Sequence, residues 1–169
     1  MKDCKWLFVA GLLAALPAGA QTLVTERSIS VEAAMEAART ALEHCRKGGH
    51  RHAVTVLDHA ARTKAILRDD GASPHSVQHS MNKAYTALTF EQPSGDFGKR
   101  ATSRPAGAGS LHLDKIATAA GGLPIRAGAE VVGSIGVSGS RGTAEAPGGA
   151  TDTRCAQAGI DRIAQGLGG

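Results

Sequence analysis

Apolar side chains fall at Val31, Ala34, Met35, Ala38, Ala41, Leu42 and Cys45, the i, i+3, i+4 spacing that gathers them on one side of a helix. Ser30 stands where an N-cap belongs, and Gly48-Gly49 ends the run. The pattern then changes period. Ala53-Val54-Thr55-Val56-Leu57-Asp58 is a β-rich run, and beyond the polar stretch 59–63 comes a second, Lys64-Ala65-Ile66-Leu67-Arg68. Two such runs across a short polar turn predict an antiparallel hairpin, closed by Asp69-Asp70-Gly71. Pro74 suits the first turn of a second helix, carried on through Val77, Met81, Ala84, Tyr85 and Leu88.

Over residues 93–110 the composition shifts to Gly, Ser, Ala, Arg and Pro, which predicts a long mobile loop. Gly121-Gly122-Leu123-Pro124-Ile125 and Val131-Val132-Gly133-Ser134-Ile135-Gly136-Val137 then predict a second hairpin around Ala127-Gly128. Gly133 and Gly136 inside the last strand point to a bulge, or to close approach of another backbone or a ligand. Residues 140–151 read as a second flexible loop. Asp152 is expected to cap a closing helix that carries Cys155, Ala156, Ile160, Ile163 and Ala164. The order α-β-β-α-loop-β-β-α uses hairpins instead of βαβ crossovers. It predicts one α+β domain, with helices packed on an antiparallel sheet.

The N-terminus reduces the number of residues available to that domain. Lys2 and Lys5 flank the start of the apolar run 6–16, and Pro17 is followed by Ala18-Gly19-Ala20, the small-x-small pattern a signal peptidase reads before Gln21. The expectation is a cleavable signal peptide over 1–20 and a periplasmic or secreted protein. An N-terminal anchor or a buried helix is the other reading of this run. It is too short to span a bilayer as a helix, and no transmembrane segment is expected in the mature chain. Cleavage leaves 149 of the 169 residues and takes the formal net charge from +4 to +3.

Composition excludes several classes. With 42% hydrophobic and 20% charged residues the chain is too apolar and too mixed in charge to be wholly disordered. Its 22 glycines have no collagen period, and three cysteines are too few for a disulfide scaffold. Only Tyr85, Phe90 and Phe97 remain as aromatics after cleavage, and no basic stripe accompanies them, so no nucleic-acid partner is expected. Cys45 and Cys155 both lie in helical patterns. Two small core residues or one bridge both fit, because spacing does not say whether the Cα atoms approach within about 7 Å.

The common signatures GxxxxGK[ST], HExxH, CxxC and GxSxG are absent, and no helix follows Gly133-x-x-Gly136-x-x-Gly139 as a dinucleotide site requires. Histidine carries what chemistry remains. His75 and His79 stand four apart and project from one helix face, with Lys83 one turn further on. The pair could hold one transition metal, or one of the two could ligate a haem iron; two solvated imidazoles are the plainer alternative. His50-Arg51-His52, at the start of the first strand, reads as surface imidazoles. His44, His59 and His112 give no specific signal, although His112 follows the first loop and could swing over a pocket. Arg68-Asp69-Asp70-Gly71 could present carboxylates to a cation, but fits a turn bonded to its own backbone better. Lys99, Arg100 and Arg104 could attract propionates or phosphates, or simply keep a loop soluble.

A set of segments carries a resemblance. They are Val54 to Asp58, Arg68-Asp69-Asp70-Gly71-Ala72, Ser76, Lys83-Ala84-Tyr85-Thr86-Ala87, Gly121-Gly122-Leu123-Pro124-Ile125, the run VVGSIGVSG ending at Gly139, and Asp152-x-x-Cys155-Ala156-Gln157-Ala158-Gly159. In this order they resemble the GlcG/HbpS-like haem-binding (haem-degrading domain) family, from Ile29 nearly to the C-terminus. The resemblance implies a profilin-like antiparallel sheet flanked by helices, symmetric homo-oligomers and a haem or related tetrapyrrole as ligand. It also brings in haem or iron handling, haem breakdown, cobalamin-related modules and extracellular redox sensing with an exported or membrane-bound partner. The chain departs from the pattern at His59-Ala60-Ala61-Arg62, where a Gly-containing turn is usual, and at Ser80, usually Ala. His79 is not a motif position. Helix geometry therefore nominates His79 or His75 as the iron ligand, with Lys83 on the same stripe and the loop cation Arg100 as further haem contacts. The alternative function is a small-ligand sensing or partner-binding module that takes no haem.

Overall fold

The computed structural model describes residues 23–103, 105–142 and 148–168. The expected leader over 1–20, Arg104 and residues 143–147 of the second expected loop lie outside that range. The order is α1 (Val31–Lys47), β1 (Ala53–Asp58), β2 (Thr63–Arg68), α2 (Ser76–Thr89), α3 (Ser94–Ser103), a 3-10 helix (Pro105–His112), β3 (Gly122–Ala127), β4 (Glu130–Ser138) and α4 (Gly148–Ile163). The strands form one antiparallel sheet in the order β2-β1-β4-β3. This is the α+β fold expected from the sequence.

The sheet is covered on both sides, so its central strands are buried along their length. Val54, Val56, Ile135 and Val137 join Ala34, Ala38, Ala41 and Leu42 of α1 and Cys155, Ala156 and Ile163 of α4 in the apolar core. Small residues let these two helices approach: a Cβ on Gly159 would stand 2.5 Å from the Ala37 carbonyl oxygen. A disulfide between Cys45 and Cys155 ties α1 to α4 across 110 residues of chain, with Cα atoms 5.6 Å apart. The bridge left open by the spacing is therefore made.

The opposite face of the sheet is small and polar, presenting Thr55, Ser134, Gly136 and Ser138, and α2 lies directly on it. A Cβ on Gly136 would overlap the Ser80 carbonyl oxygen, and Thr55 Oγ1 meets Ser80 Oγ at 2.7 Å. The close-approach reading of Gly136 is thus correct. The bulge reading applies next door, where the β3–β4 register slips between the pairs Ile125–Gly133 and Arg126–Val131.

Two expectations need correction. Where a mobile loop was expected, Ser94–Ser103 form α3 and Pro105–His112 the 3-10 helix. Phe97 and Ala101, one helical turn apart, are buried, and Phe97 stacks on Phe90 with ring centroids 4.1 Å apart. That packing outweighs the poor helix propensity of the Gly and Ser around it. The second correction concerns Asp152. It does not cap α4; the helix starts at Gly148, and Asp152 sits inside it with its side chain buried.

Candidate functional site

One end of the sheet opens into a cleft where α2, the end of β4 and the start of α4 meet. A cavity of about 340 Å³ there is lined by Ser73, His75, His79, Lys83, Ser138 and Asp152, with Gly139 to Gly142 at its rim. Three of the four residues nominated from sequence share this wall, because His75, at the N-cap position of α2, and His79 and Lys83 within it follow one another at successive turns. Arg100 does not: it is exposed on the last turn of α3 and lines no part of the cleft. Its neighbour Lys99 lines an adjoining apolar cavity of about 670 Å³, with Pro93, Leu123, Ala150 and Thr153. The two cavities share Ala119 and Gly149. Each is within the range of a ligand-sized pocket, about 300–1,000 Å³.

His79 is half-buried, and its Nδ1 stands 3.1 Å from Ser138 Oγ. Burial lowers its pKa below the ordinary value, helped by the charges of Lys83 and His75 and opposed by Asp152. The neutral imidazole is the form a metal requires. In the tautomer whose Nδ1 donates to Ser138, Nε2 keeps a free lone pair, the division of roles usual in metal-ligating histidines. His75 precedes the helix at the N-cap position, exposed, with its ring centroid 6.4 Å from that of His79.

Lys83 is not a surface cation. Only 2% exposed, it donates from Nζ to Asp152 Oδ2 at 2.6 Å and to the Val137 carbonyl at 3.0 Å. Asp152 also accepts from the Ser140 amide at 3.1 Å and lies 3.0 Å from His52 Nε2, itself 2.7 Å from Ser140 Oγ. Burial pushes the Asp152 carboxyl up, but the His52 bond, the Lys83 charge and bond, and the Ser140 side chain together hold it below the ordinary range. His52 is therefore no surface imidazole, as its position at the strand start had predicted. It is fully buried beneath the cleft. Gly121, at φ +122°, closes this floor, since a Cβ there would stand 2.7 Å from that of Asp152 and 3.1 Å from Lys83 Nζ.

The other sequence candidates lie elsewhere. Asp69 is buried and takes Arg46 at 2.8 Å and Arg51 at 3.5 Å, while one of its oxygens accepts the Asp70 amide at 3.0 Å, so the turn reading describes it. Its carboxyl is held low chiefly by the Arg46 hydrogen bond. His112 ends the 3-10 helix, exposed and away from both cavities.

These features define a class: a single α+β domain whose ligand-sized cleft lies at one end of an antiparallel sheet. The chain belongs to the HbpS-like haem-degrading protein family, whose model matches residues 29–161. Its structure is similar to that of a double mutant of HbpS from Streptomyces reticuli, with a TM-score of 0.74 and 34% identity over 88% of this chain and 95% of that one. It is also similar to a PduOC:haem complex, with a TM-score of 0.67 and 22% identity over 80% of this chain and 95% of that one, a likeness of fold alone. A protein of Citrobacter freundii from the dhaT-dhaS intergenic region, uncharacterised and of 15.0 kDa, is 36% identical over 94 residues. That match covers 54% of this chain and 64% of the relative's length. Among the described residues no helix is long and apolar enough to cross a membrane.

The residues present fit a haem. The apolar cavity offers aliphatic walls, His79 in the adjoining cavity offers a ring nitrogen whose neutral form burial favours, Arg141 places a cation beside it, and Lys99 places another that is paired with Asp96 at 3.4 Å. Sequence reasoning passed over Arg141, Ser138 and the His52–Asp152 floor.

Proposed function

We propose that this chain is an exported haem-binding protein that takes its ligand in the cleft between α2, β4 and α4. The observation that carries this reading is His79: half-buried, favoured as the neutral imidazole, and bonded to Ser138 at one nitrogen only. Membership of a haem-degrading family and the likeness to a fold neighbour solved with haem support it. When bound, haem supplies a redox-active iron. His79 would offer the iron a nitrogen, Ser138 would hold the imidazole's orientation, and Arg141 and Lys99 would face the propionates. The Lys83–Asp152 pair contributes little net charge and forms the floor. Export rests on the leader pattern of residues 1–20. Haem or iron handling and redox sensing, with assembly into a symmetric homo-oligomer, belong to the same proposal.

Haemin titration of the purified protein tests it. The expected result is a saturable Soret band that shifts or is lost in His79→Ala and survives in His75→Ala. No saturable band would overturn the proposal, and an unchanged His79→Ala spectrum would remove His79 as ligand. Haem breakdown is the second reading, favoured by the description of the family. It predicts loss of the Soret band and release of iron when reductant and oxygen are added, and haem surviving that treatment intact would exclude it.

A further inference from the structure

Behind the cleft floor lies a second cluster that haem binding does not use. Cys45 of α1, Cys155 of α4 and His52, just before β1, are all buried, and one ligand atom from each lies within 4.8 Å of the others. His52 Nε2 is engaged with Asp152 and Ser140, whereas Nδ1 is buried and has no hydrogen-bond partner among the described residues. A buried ring nitrogen left unpaired is costly, and native proteins rarely leave one so without a use. On the other side of the sulfurs a cavity of about 310 Å³, lined by both cysteines and by His44 and His50, gives an approach from the surface.

We propose that Cys45, Cys155 and His52 form a metal site for a thiophilic closed-shell cation, with Zn(II) as the type case, that is shut by the disulfide and opened by its reduction. In the bridged state the sulfurs have no thiolate to offer. A dithiol reductant delivers two electrons and two protons; the S–S bond breaks, two thiols form and the reductant leaves as its own disulfide. The cation then displaces both thiol protons to solvent and gains two sulfur bonds and one bond from His52 Nδ1. Bonds of about 2.3 Å to sulfur and about 2.0 Å to nitrogen set the ligands roughly 3.5–4 Å apart, a spacing reached once the two sulfurs part and the three ligand atoms, now within 4.8 Å of one another, close on the cation. Charge favours the arrangement. Two thiolates cancel the dication, and Asp152 on the far side of His52 is already balanced by Lys83. A fourth ligand would come from solvent through that cavity.

The test uses the haem-free protein, so its outcome is separate from that of the haem reading. The protein is reduced with a phosphine under nitrogen and titrated with Co(II), then with Zn(II). One equivalent of Co(II) is expected, with an intense sulfur-to-cobalt charge-transfer band that Zn(II) abolishes and two protons released per Zn(II). The reduced form should bind at least about 100-fold more tightly than the oxidised form, and Cys45→Ser and Cys155→Ser should each lose the charge-transfer band. His52→Ala is expected to weaken binding by about 10-fold or more. Because that variant also strips a partner from Asp152, circular dichroism follows its fold, and the cysteine variants carry the test should it unfold. Equal affinity in the oxidised protein, or reduced wild type binding no better than Cys45→Ser, would overturn the proposal. So would a reduced chain that unfolds and is not refolded by Zn(II).

Discussion

Lys83 Nζ stands 2.6 Å from Asp152 Oδ2, and both side chains are almost wholly out of solvent. The pair joins α2, on one face of the sheet, to α4, which packs on the other. Removing one partner strands a buried charge, whereas replacing both with apolar groups removes the desolvation cost together with the attraction. Asp152→Ala should therefore cost about 3–5 kcal/mol in urea unfolding. The double variant Lys83→Met/Asp152→Leu should recover much of that loss. A single variant within experimental error of wild type would mean that the ammonium finds water.

A methyl group on Gly136 would meet the backbone of Ser80 and Ala84, which has little room to move. Gly136→Ala should destabilise by about 1–3 kcal/mol or more, as overpacking does. Gly109→Ala, where nothing lies within 4 Å of the added atom, should stay within about 0.5 kcal/mol of wild type. Chemical denaturation of the two variants side by side checks the contrast.

Acid should destabilise the fold in two stages. His79 has its folded pKa lowered below the ordinary 6.5, so as pH falls through 6.5 the unfolded chain takes up the proton first and stability drops. Asp152 is lowered below its ordinary 3.8, so its contribution is present above that value and is lost as pH falls through the folded pKa. Urea midpoints measured from pH 8 to pH 3 should decline in both windows. His79→Gln should flatten the first window and leave the second.

The Cys45–Cys155 bridge closes a sequence separation of 110 residues, which makes its constraint on the unfolded chain large. Cys45→Ser/Cys155→Ser should lower stability by about 2–5 kcal/mol. Equilibrium unfolding under non-reducing conditions measures the difference, and equal midpoints would show that the helices hold together without the bridge.

Local patterns located most elements. The apolar spacing from Val31 to Cys45 marks α1, the β-rich run Ala53–Asp58 marks β1, and Gly136 of β4 reports how near α2 comes. The i, i+4 arrangement of His75 and His79 also survives intact, because a helix fixes it without help from the rest of the chain. Where the reading failed, a tertiary partner decides. The pair Phe97 and Ala101 was a faint helical signal inside residues that favour loops, and it became α3 only because Phe90 was there to stack on. Asp152 resembles any helix-capping aspartate until Lys83 and His52, 69 and 100 residues away, are brought to it.

By itself, then, the sequence determined the order of the strands and of the helices other than α3 and the 3-10 helix, the antiparallel α+β class, the family and the histidine face of α2, all of which depend on neighbours within a few residues or on contiguous motifs. The tertiary structure alone decided that Cys45 meets Cys155, that His52 lies under the cleft with one nitrogen unpaired, and that Lys83 is an interior ion instead of a surface one. The physical reason is burial. Whether a polar side chain faces water or another charge depends on which segments fold over it, and no spacing along the chain encodes that.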